Sequence, residues 1–327
     1  MLKVGIIGTG HLGKLHTKLF KEITNCELIG IHDIDEAKLN SVSQEFAVAP
    51  FSNIDDLLNQ VDAVSIVSTT SAHYKIAKKA LENGKHVFVE KPITARIDEG
   101  EEIVDLAKKN GLNMQVGHIE RFNPALLSLE KFPLEPTFIQ SDRLSQFNLR
   151  GTDVAVVHDL MIHDIDIILS LVKSDVKQVN ASGVAVVTDN IDIANARIEF
   201  VNGTVANVTA SRISQKKMRK MRMFQKDAYI TLDFTTGVSE IFRLLQPGDP
   251  ASENLMAFGE IGVGEKKKLL VYEQPELKEV NALKYELQLF VNSILEKKEP
   301  MVTGADGLKA LKVAEEIITK INESRIQ

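Results

Sequence analysis

The sequence has little of what marks several protein classes. Its single cysteine, Cys26, cannot form an intramolecular disulfide, and a metal site of several cysteines is excluded. We expect Cys26 to be a small buried filler in a protein of a reducing compartment. No run approaches the roughly 20 consecutive apolar residues of a membrane span. The first apolar run, Val4–Ile7, is too short for a signal-peptide core, so we expect a cytoplasmic protein without a membrane partner.

An excess of basic residues is also missing. The formal net charge of −6 argues against nucleic acid as a partner, because nucleic-acid binders usually carry a basic balance or a large basic face. Repeats and low-complexity segments are absent as well. The length of 327 residues is large for a single hydrophobic core, so we expect two domains. The eight histidines are scattered without the spacing of metal ligands, and no metal site is predicted.

The first part of the chain alternates apolar strands with amphipathic helices. The predicted strands are Leu2–Ile7, Glu27–His32, Ala63–Val67, His86–Val89 and Asn113–Val116. The predicted helices are Gly13–Glu22, Asp35–Phe46, His73–Asn83 and Glu99–Lys109. This alternation predicts a doubly wound parallel sheet, with ligands at the carboxyl ends of the strands. We therefore predict a Rossmann domain over residues 1–119.

The pattern changes in the second part of the chain. Prolines at positions 124, 133 and 136 mark a connecting stretch, and a strongly apolar helix is predicted at Val156–Leu171. The predicted strands that follow are Val176–Val187, Ile193–Phe200, Thr204–Ser211, Met221–Gln225, Ala228–Asp233, Val238–Leu245 and Lys268–Tyr272. Strands in series without intervening helices are expected to be antiparallel, and helices at Val280–Lys297 and Ala305–Ser324 close the chain.

The fold class is therefore α/β with two domains. The N-terminal domain is the doubly wound Rossmann domain. Residues 120–327 are predicted to form a C-terminal α+β domain on a large and mostly antiparallel sheet. Its last helix is a candidate for packing back on the first domain.

The loop after the first strand reads Gly8-Thr9-Gly10-His11-Leu12-Gly13. This glycine spacing permits a tight turn and lets backbone N–H groups approach a diphosphate at a helix N-terminus. Asp33 ends the second strand about twenty residues later, where an acidic side chain binds a ribose diol and repels a 2′-phosphate. We predict a dinucleotide site that prefers NAD to NADP. The alternative is a tight strand–helix turn with no ligand.

Two further segments carry a family resemblance. The first runs from Val64 to His73 and on through Gly84-Lys85-His86-Val87-Phe88-Val89-Glu90-Lys91-Pro92. The second is His158-Asp159-Leu160-Met161-Ile162-His163-Asp164-Ile165-Asp166. Together with the glycine loop they resemble the glucose–fructose oxidoreductase / inositol dehydrogenase / rhizopine-catabolism (Gfo/Idh/MocA) family over essentially the whole chain. The resemblance implies an NAD-dependent dehydrogenase that acts on a CH–OH group of a sugar, a sugar nucleotide or a cyclitol.

The resemblance also implies three catalytic residues, Lys91, Asp159 and His163. Oxidation of a secondary alcohol needs a base for the hydroxyl proton, and an ammonium group can bind the oxygen and lower its proton affinity. Asp159 and His163 are four positions apart on a predicted helix and so face the same way. We favour His163 as the base and Lys91 as the group that polarises the oxygen, although family members differ over which takes the proton. A purely structural aspartate–histidine pair is the alternative.

The resemblance assigns further residues to the cofactor site. They are Ser68, Thr69, Thr70, His73, Glu90, Lys91 and Gln115, in addition to the glycine loop and Asp33. Turn chemistry or helix capping is the alternative for each strand-end residue. The rings of His11 and His16 are expected to be surface or packing groups. The proline after Lys91 suggests a cis peptide bond.

Substrate contacts are predicted around the domain junction, in the segment Gly117–Pro124. His118, Arg121 and Asn123 are the candidates, and His158 either borders the pocket or packs. This segment resembles family members that oxidise the 3-hydroxyl of UDP-N-acetylglucosamine. A free sugar or an inositol is the alternative substrate. The sequence also permits a non-catalytic NAD-binding regulator or a reductase of a non-sugar compound, although relatives of the last kind typically lack the aspartate–histidine helix.

Three further features of the sequence lead to predictions. The basic run Arg212–Arg222 suits a nucleotide-sugar diphosphate, but we favour a solvated strand edge whose charges oppose aggregation. Asp166 is expected to make a structural hydrogen bond. The resemblance implies that residues 120–327 serve in substrate binding and oligomerisation, and that a homodimer or homotetramer forms through the face of the antiparallel sheet.

Overall fold

The computed structural model describes residues 1–149, 151–152, 154–245, 255–277 and 279–325. The chain divides into two compact units. Unit 1 comprises residues 1–119 and 281–312, and unit 2 comprises residues 120–280 and 313–327. Residues 281–312, which the sequence assigns to the second domain, therefore pack with the first part of the chain.

The elements of the described residues are numbered in chain order. The strands are β1 Leu2–Ile7, β2 Cys26–His32, β3 Pro50–Phe51, β4 Ala63–Ile66, β5 His86–Glu90, β6 Met114–Gly117, β7 Phe138–Leu144, β8 Val176–Val184, β9 Ile193–Phe200, β10 Val205–Ser211, β11 Met218–Phe224, β12 Ala228–Asp233, β13 Val238–Leu245, β14 Met256–Ile261 and β15 Lys268–Glu273. The helices are α1 His11–Glu22, α2 Glu36–Phe46, α3 Ile54–Leu58, α4 Thr70–Glu82, α5 Ile97–Lys109, α6 Pro124–Leu127, α7 Ile162–Leu171, α8 Ala282–Leu295 and α9 Gly304–Arg325.

Unit 1 contains a six-stranded sheet, counted over the described residues, in the order β3-β2-β1-β4-β5-β6. All of its strand pairs are parallel, which confirms the predicted doubly wound sheet. The order reverses between β1 and β4, and the crevice at such a reversal is where open α/β sheets bind ligands. Most residues of these strands are apolar and buried, as expected where helices cover both faces of a parallel sheet.

The apolar face of α8 explains why the late segment packs with unit 1. Leu287, Phe290 and Val291 are fully buried in the core cluster that also contains Phe20 and Phe88. The rings of Phe88 and Phe290 meet edge to face, with their centroids 5.7 Å apart. Aromatic and aliphatic burial of this kind stabilises packing by about 1.5–3 kcal/mol for each side chain. The helix therefore completes the core beneath the parallel sheet.

Unit 2 contains a nine-stranded sheet among the residues that are described. Its order is β14-β15-β13-β12-β11-β7-β10-β9-β8. The β7–β10 pair is parallel and the other pairs are antiparallel, so the mostly antiparallel sheet is confirmed. The sequence did not reveal β7, because polar Ser141 and Arg143 occupy its buried positions and disrupt the apolar alternation.

The helix predicted at Val156–Leu171 is not one regular helix. A π-helical turn spans Val157–Met161, and α7 continues from Ile162. Single π turns within helices are frequent at functional sites. Polar residues of this segment are buried as well as exposed, since Asp164 and Asp166 are buried and His163 is half-buried, so the sequence carried no clear periodicity that could locate the irregular turn. No helix within the described residues is both long and apolar enough to span a membrane.

Candidate active site

The three glycines of the loop between β1 and α1 serve different purposes. Gly8 has a φ of +104°, and an added Cβ would lie 2.5 Å from the carbonyl oxygen of Val67. A Cβ on Gly13 would lie 2.0 Å from the carbonyl oxygen of Gly8. Gly10 has an ordinary φ of −66°, and no atom of the described residues lies within 4 Å of its Cβ position. The fold therefore requires the first and third glycines, whereas the middle one leaves open space.

The N-terminus of α1 is suited to an anion. Gly10 is its N-cap, no side chain of the described residues caps it, and its first turn contains no acidic residue. The α4 helix, which follows the neighbouring strand β4, begins after Thr69 in the same way. By contrast, Asp35 caps α2 by accepting a hydrogen bond from the backbone N–H of Lys38. Uncapped N–H groups and the positive end of the helix dipole fit the diphosphate of a dinucleotide.

Asp33 follows β2 and is anchored to the glycine loop. Its Oδ2 accepts hydrogen bonds from the backbone N–H and the hydroxyl of Thr9, at 2.6 and 2.8 Å. Its Oδ1 accepts one from the backbone N–H of Asp35 at 2.9 Å. Burial acts to raise the pKa of Asp33, but these hydrogen bonds and the charge of Lys38 outweigh burial and lower that pKa.

The lowered pKa fixes the charge of Asp33 at neutral pH. The stabilisation that the carboxylate gives to the loop is present above the ordinary pKa of 3.8, and it is lost only as the pH falls through the lower folded-state value. An anion at this position favours a ribose diol and opposes a 2′-phosphate. The geometry therefore fits NAD better than NADP.

His73 lies inside unit 1 rather than on the predicted cofactor surface. Its Nδ1 is 2.9 Å from the carbonyl oxygen of Pro92, and its Nε2 is 3.2 Å from that of Ser68. Burial lowers the pKa of His73, while the two carbonyl groups and the charge of Glu90 act to raise it. With 1% of its surface exposed, His73 positions the ends of β4 and β5. Ser68, Thr69 and Thr70 lie at the open start of α4.

The end of β5 carries the Glu-Lys-Pro segment. The Lys91–Pro92 peptide bond is cis, as the sequence suggests. Lys91 is half-buried at the carboxyl end of the sheet, directly after Glu90. Gln115, predicted in the cofactor site, is fully buried on β6, and its amide donates to the carbonyl oxygen of Glu286 at 3.3 Å. Gln115 therefore offers no surface to a ligand, whereas Lys91 does.

In unit 2, the π turn and the start of α7 carry the other two predicted catalytic residues. Asp159 lies in the π turn and His163 in the first turn of α7. Both side chains are half-buried, whereas the two neighbours of His163, Ile162 and Asp164, are buried. Asp159 and His163 therefore lie on the accessible side of this segment.

A loop backbone approaches the carboxylate of Asp159. Gly151 has a φ of +79°, and an added Cβ would lie 2.9 Å from Oδ2 of Asp159. Arg212 holds this loop by donating to the carbonyl oxygens of Gly151 and Val154, at 2.8 and 2.6 Å. The sequence missed this role, because Arg212 begins the basic run yet is 4% exposed. The buried guanidinium positions the loop that borders Asp159.

We predict that Gly151→Ala lowers kcat at least tenfold while the protein remains folded, because the new Cβ displaces the Asp159 carboxylate. Gly203→Ala is the matched control. It has a similar φ of +87°, but no atom of the described residues lies within 4 Å of its Cβ position. Both variants should lose similar thermal stability, and only Gly151→Ala should lose activity. Equal kcat values for the two variants would show that the approach to Asp159 is unimportant.

Two arginines hold α7 from its buried side. Arg143 donates to both carboxylate oxygens of Asp164, at 2.7 and 3.1 Å, and to Glu120 at 2.8 Å. Burial acts to lower the pKa of Arg143, but the two carboxylates raise it. Arg121 pairs with Asp166 through two hydrogen bonds of 2.7 Å, which confirms the structural role expected of Asp166. Arg121 was predicted to contact substrate, but two of its N–H groups donate to Asp166 on α7.

The other predicted substrate contacts are largely occupied within the protein. The Asn123 side chain accepts from the backbone N–H of Ala125 and donates to Glu120 and to the carbonyl oxygen of Phe234. Nε2 of His158 lies 2.9 Å from Glu315, which favours the packing alternative. His118 is 1% exposed in unit 1. The sequence could not reveal these inward orientations, because it gives the residue types and not the directions of their side chains.

The last part of the basic run lies on β11, which is an interior strand, so its interpretation as a strand edge was wrong, although the side chains of Lys220 and Arg222 remain 56% and 44% exposed. β11 pairs with β7 on one side and β12 on the other. Lys220 lies 3.3 Å from Asp233 on β12, and Arg222 lies 3.6 Å from Asp142 on β7. These cross-strand ion pairs already give the cations carboxylate partners, and the structure offers no support for a diphosphate site here.

Metal and thiol chemistry are not indicated. Over the residues that the structure describes, no group of three or more histidine, cysteine, aspartate or glutamate side chains could hold a metal ion. Cys26 is buried, and burial raises the pKa of its thiol to about 11. The thiol therefore stays protonated at neutral pH, in accord with its expected role as a filler.

Comparison with known families identifies the class. Residues 2–118 match the oxidoreductase family with an NAD-binding Rossmann fold, and residues 138–237 match the GFO/IDH/MocA C-terminal domain. The protein is thus an NAD-dependent oxidoreductase with the two parts that define this class. The chain belongs to the Gfo/Idh/MocA family.

Similar proteins include sugar-nucleotide and cyclitol dehydrogenases. The chain is 34% identical over 317 residues to the UDP-N-acetylglucosamine 3-dehydrogenase of Acidithiobacillus ferrooxidans, covering 96% of this chain and 95% of that protein. A solved structure of that dehydrogenase superposes with a TM-score of 0.87 at 32% identity, covering 98% and 97% of the two chains. The myo-inositol 2-dehydrogenase of Thermotoga maritima is 24% identical, with 95% and 93% covered.

Proposed function

We propose that this protein oxidises the 3-hydroxyl of UDP-N-acetylglucosamine with NAD as the oxidant. The observation that carries the proposal is the near-full-length similarity to the Acidithiobacillus ferrooxidans enzyme. We propose Lys91, Asp159 and His163 as the catalytic residues, in the roles that the sequence resemblance implies. Unit 1 would serve as the cofactor domain, and unit 2 as the domain for substrate binding and oligomerisation.

Bound NAD supplies the hydride acceptor, and the protein supplies the proton chemistry. The Lys91 ammonium donates a hydrogen bond to the substrate oxygen and stabilises the negative charge that develops there. The imidazole of His163 takes the hydroxyl proton, since an imidazole titrates near neutral pH. Asp159 stabilises the imidazolium that forms and orients the ring.

The cofactor residues have separate tasks. The open N-termini of α1 and α4 hold the diphosphate, and Ser68, Thr69 and Thr70 line the second of these sites. Asp33 binds the adenine-side ribose diol. Glu90 is proposed to bind the nicotinamide ribose beside Lys91.

A substrate panel tests this proposal. The protein is incubated with NAD and, in separate reactions, with UDP-N-acetylglucosamine, other UDP-sugars, free hexoses and inositols, while NADH absorbance is followed. We expect the highest kcat/KM with UDP-N-acetylglucosamine. A preference for an inositol would show that the substrate is a cyclitol, while the reaction would remain hydride transfer from a CH–OH group to NAD. Tight NAD binding without turnover of any compound would favour the regulator instead.

We also propose that the protein is a homodimer or homotetramer. Aromatic rings form a continuous stripe across one end of the nine-stranded sheet, comprising Phe138, Phe224, Tyr229, Phe242, Tyr272 and Phe258. Phe224 and Phe258 are 40% and 59% exposed, and a contiguous apolar patch of this kind is typical of subunit contacts. Size-exclusion chromatography with light scattering should give a mass of two or four chains. A Phe224→Asp variant should shift towards the monomer, and a wild-type monomer would contradict the proposal.

A further inference from the structure

Two arginine–aspartate pairs hold α7 on either side of His163. Arg143 donates to both carboxylate oxygens of Asp164, at 2.7 and 3.1 Å, and Arg121 donates to both oxygens of Asp166, at 2.7 Å each. Successive residues of an α-helix are about 100° apart around its axis. Asp164 is therefore turned by about 100° to one side of His163, and Asp166, three positions after His163, by about 60° to the other side. The two pairs thus flank the direction in which the His163 side chain leaves the helix.

The two-point geometry of these pairs makes them directional. A planar guanidinium that faces a planar carboxylate forms two parallel hydrogen bonds, and this arrangement fixes orientation as well as distance. One such pair could act as a pivot about which the helix turns. Two pairs on opposite sides of His163 oppose rotation of α7 in either direction.

Arg143 is itself held by rigid structure. It lies on β7, where the strand ladder pairs it with Ala210 on β10 and with Arg219 on β11. Its Nη1 donates to Glu120 at 2.8 Å, and its guanidinium carbon lies 5.9 Å from the centre of the Phe234 ring. Arg143 is 2% exposed. The orientation of α7 is therefore fixed against an interior strand of the nine-stranded sheet.

A purely structural role explains these buried charges poorly. Replacement of a buried ion pair by apolar residues of similar volume is often neutral or stabilising, because removal of both charges from water is costly. Asp164 and Asp166 are both buried, although apolar side chains at these positions would serve packing equally well. Orientation is what the ion pairs provide and apolar packing does not.

We infer that Arg143 and Arg121 are positioning residues that set the rotation of α7 and thereby direct the imidazole of His163 at the substrate hydroxyl. The inference rests on the proposed function, in which His163 takes the hydroxyl proton. Neither arginine needs to contact the substrate for this role. Arg121, a predicted substrate contact, would act on the reaction through Asp166 instead.

The first test replaces the guanidinium and keeps the charge. The lysine of Arg143→Lys can neutralise Asp164, but its ammonium group cannot form the planar two-point pair. We expect kcat to fall about tenfold to a hundredfold while NAD affinity stays unchanged. Arg222→Lys is the matched control on the neighbouring strand β11, where Arg222 lies 3.6 Å from Asp142, and it should keep the wild-type kcat. Wild-type kcat in Arg143→Lys would overturn the inference.

A second variant removes the charged pair as a whole, so that no uncompensated charge threatens folding. In Arg143→Met with Asp164→Leu, Glu120 keeps the hydrogen bond from Asn123, and the thermal midpoint should stay near that of the wild type. We expect the same loss of kcat as in Arg143→Lys. A folded double variant with wild-type kcat would show that the pair serves packing alone.

Imidazole rescue separates the direction of His163 from a general disturbance of the pocket. In His163→Ala, added imidazole replaces the ring and is not attached to α7, so the further change Arg143→Lys should leave the rescued rate unchanged. A loss of the rescued rate as large as the loss in the wild-type background would overturn the inference.

The proposed function and the inference fail in different ways. Full activity of His163→Ala would remove His163 from the chemistry, whatever Arg143 does. A crystal structure of Arg143→Lys tests the inference without turnover. We expect the His163 ring to turn away from its wild-type direction, and an unchanged direction would overturn the inference. If the wild type turned over only another compound, the proposed substrate would fail, and the effects of Arg143 on that reaction would still be expected.

Discussion

Lys91→Ala and His163→Ala should each lower kcat by about a hundredfold to ten-thousandfold while NAD still binds. Lys91 lies half-buried at the carboxyl end of β5, and His163 lies half-buried at the start of α7. Neither is a core residue, so removal should leave the fold intact. Stopped-flow or steady-state NADH formation gives kcat, and titration with NADH gives the cofactor affinity of the same variants.

The two variants also separate the two proton roles. Added imidazole should restore part of the activity of His163→Ala, because a free base can replace the missing one, and it should not restore Lys91→Ala. The matched control is Lys75→Ala, which removes an exposed lysine from α4 and should behave as the wild type. Full activity in both catalytic variants would contradict the site. Rescue of Lys91→Ala by a primary amine, with no rescue of His163→Ala, would make the lysine the base.

Gly10→Ala should abolish tight NAD binding without destabilising the protein. Gly10 has an ordinary φ of −66°, and its Cβ position is free of atoms of the described residues within 4 Å. A methyl group there would occupy the space through which a diphosphate approaches the start of α1. We expect an affinity loss of about a hundredfold, equivalent to ~2.7 kcal/mol.

Gly13→Ala should instead destabilise the folded protein. Its Cβ would lie 2.0 Å from the carbonyl oxygen of Gly8, so the backbone of the loop must shift and the thermal midpoint should fall. Thermal unfolding without cofactor distinguishes the two glycines, and NADH titration then measures binding. Unchanged NAD affinity in Gly10→Ala would show that no diphosphate lies against this loop.

The first sheet was predictable because its signal is local. Buried parallel strands give unbroken apolar runs, and the glycine loop and Asp33 follow them at fixed spacing. β3 has only two residues, Pro50 and Phe51, which is too few for a periodic signal. β7 was missed for another reason, since Arg143 at an inward position is compensated by Glu120 and Asp164, which are distant in sequence.

The candidate site was only partly predictable, because sequence gives residue types and not their directions. Gln115 lies on a strand and His73 on a helix, as predicted, but neither is at the end of its element, and both side chains turn inward to backbone carbonyl groups. Arg212 was identified as a basic residue, yet its role depends on a loop some 60 positions earlier in the chain.

The most direct test of the central claim is the fate of the hydrogen at C3 of the substrate. UDP-N-acetylglucosamine carrying deuterium at that carbon is incubated with the protein and NAD, and the reduced nicotinamide is analysed by mass spectrometry. The account predicts that the deuterium is recovered in the nicotinamide ring. NADH without deuterium, formed while the sugar nucleotide is oxidised at another carbon, would contradict it.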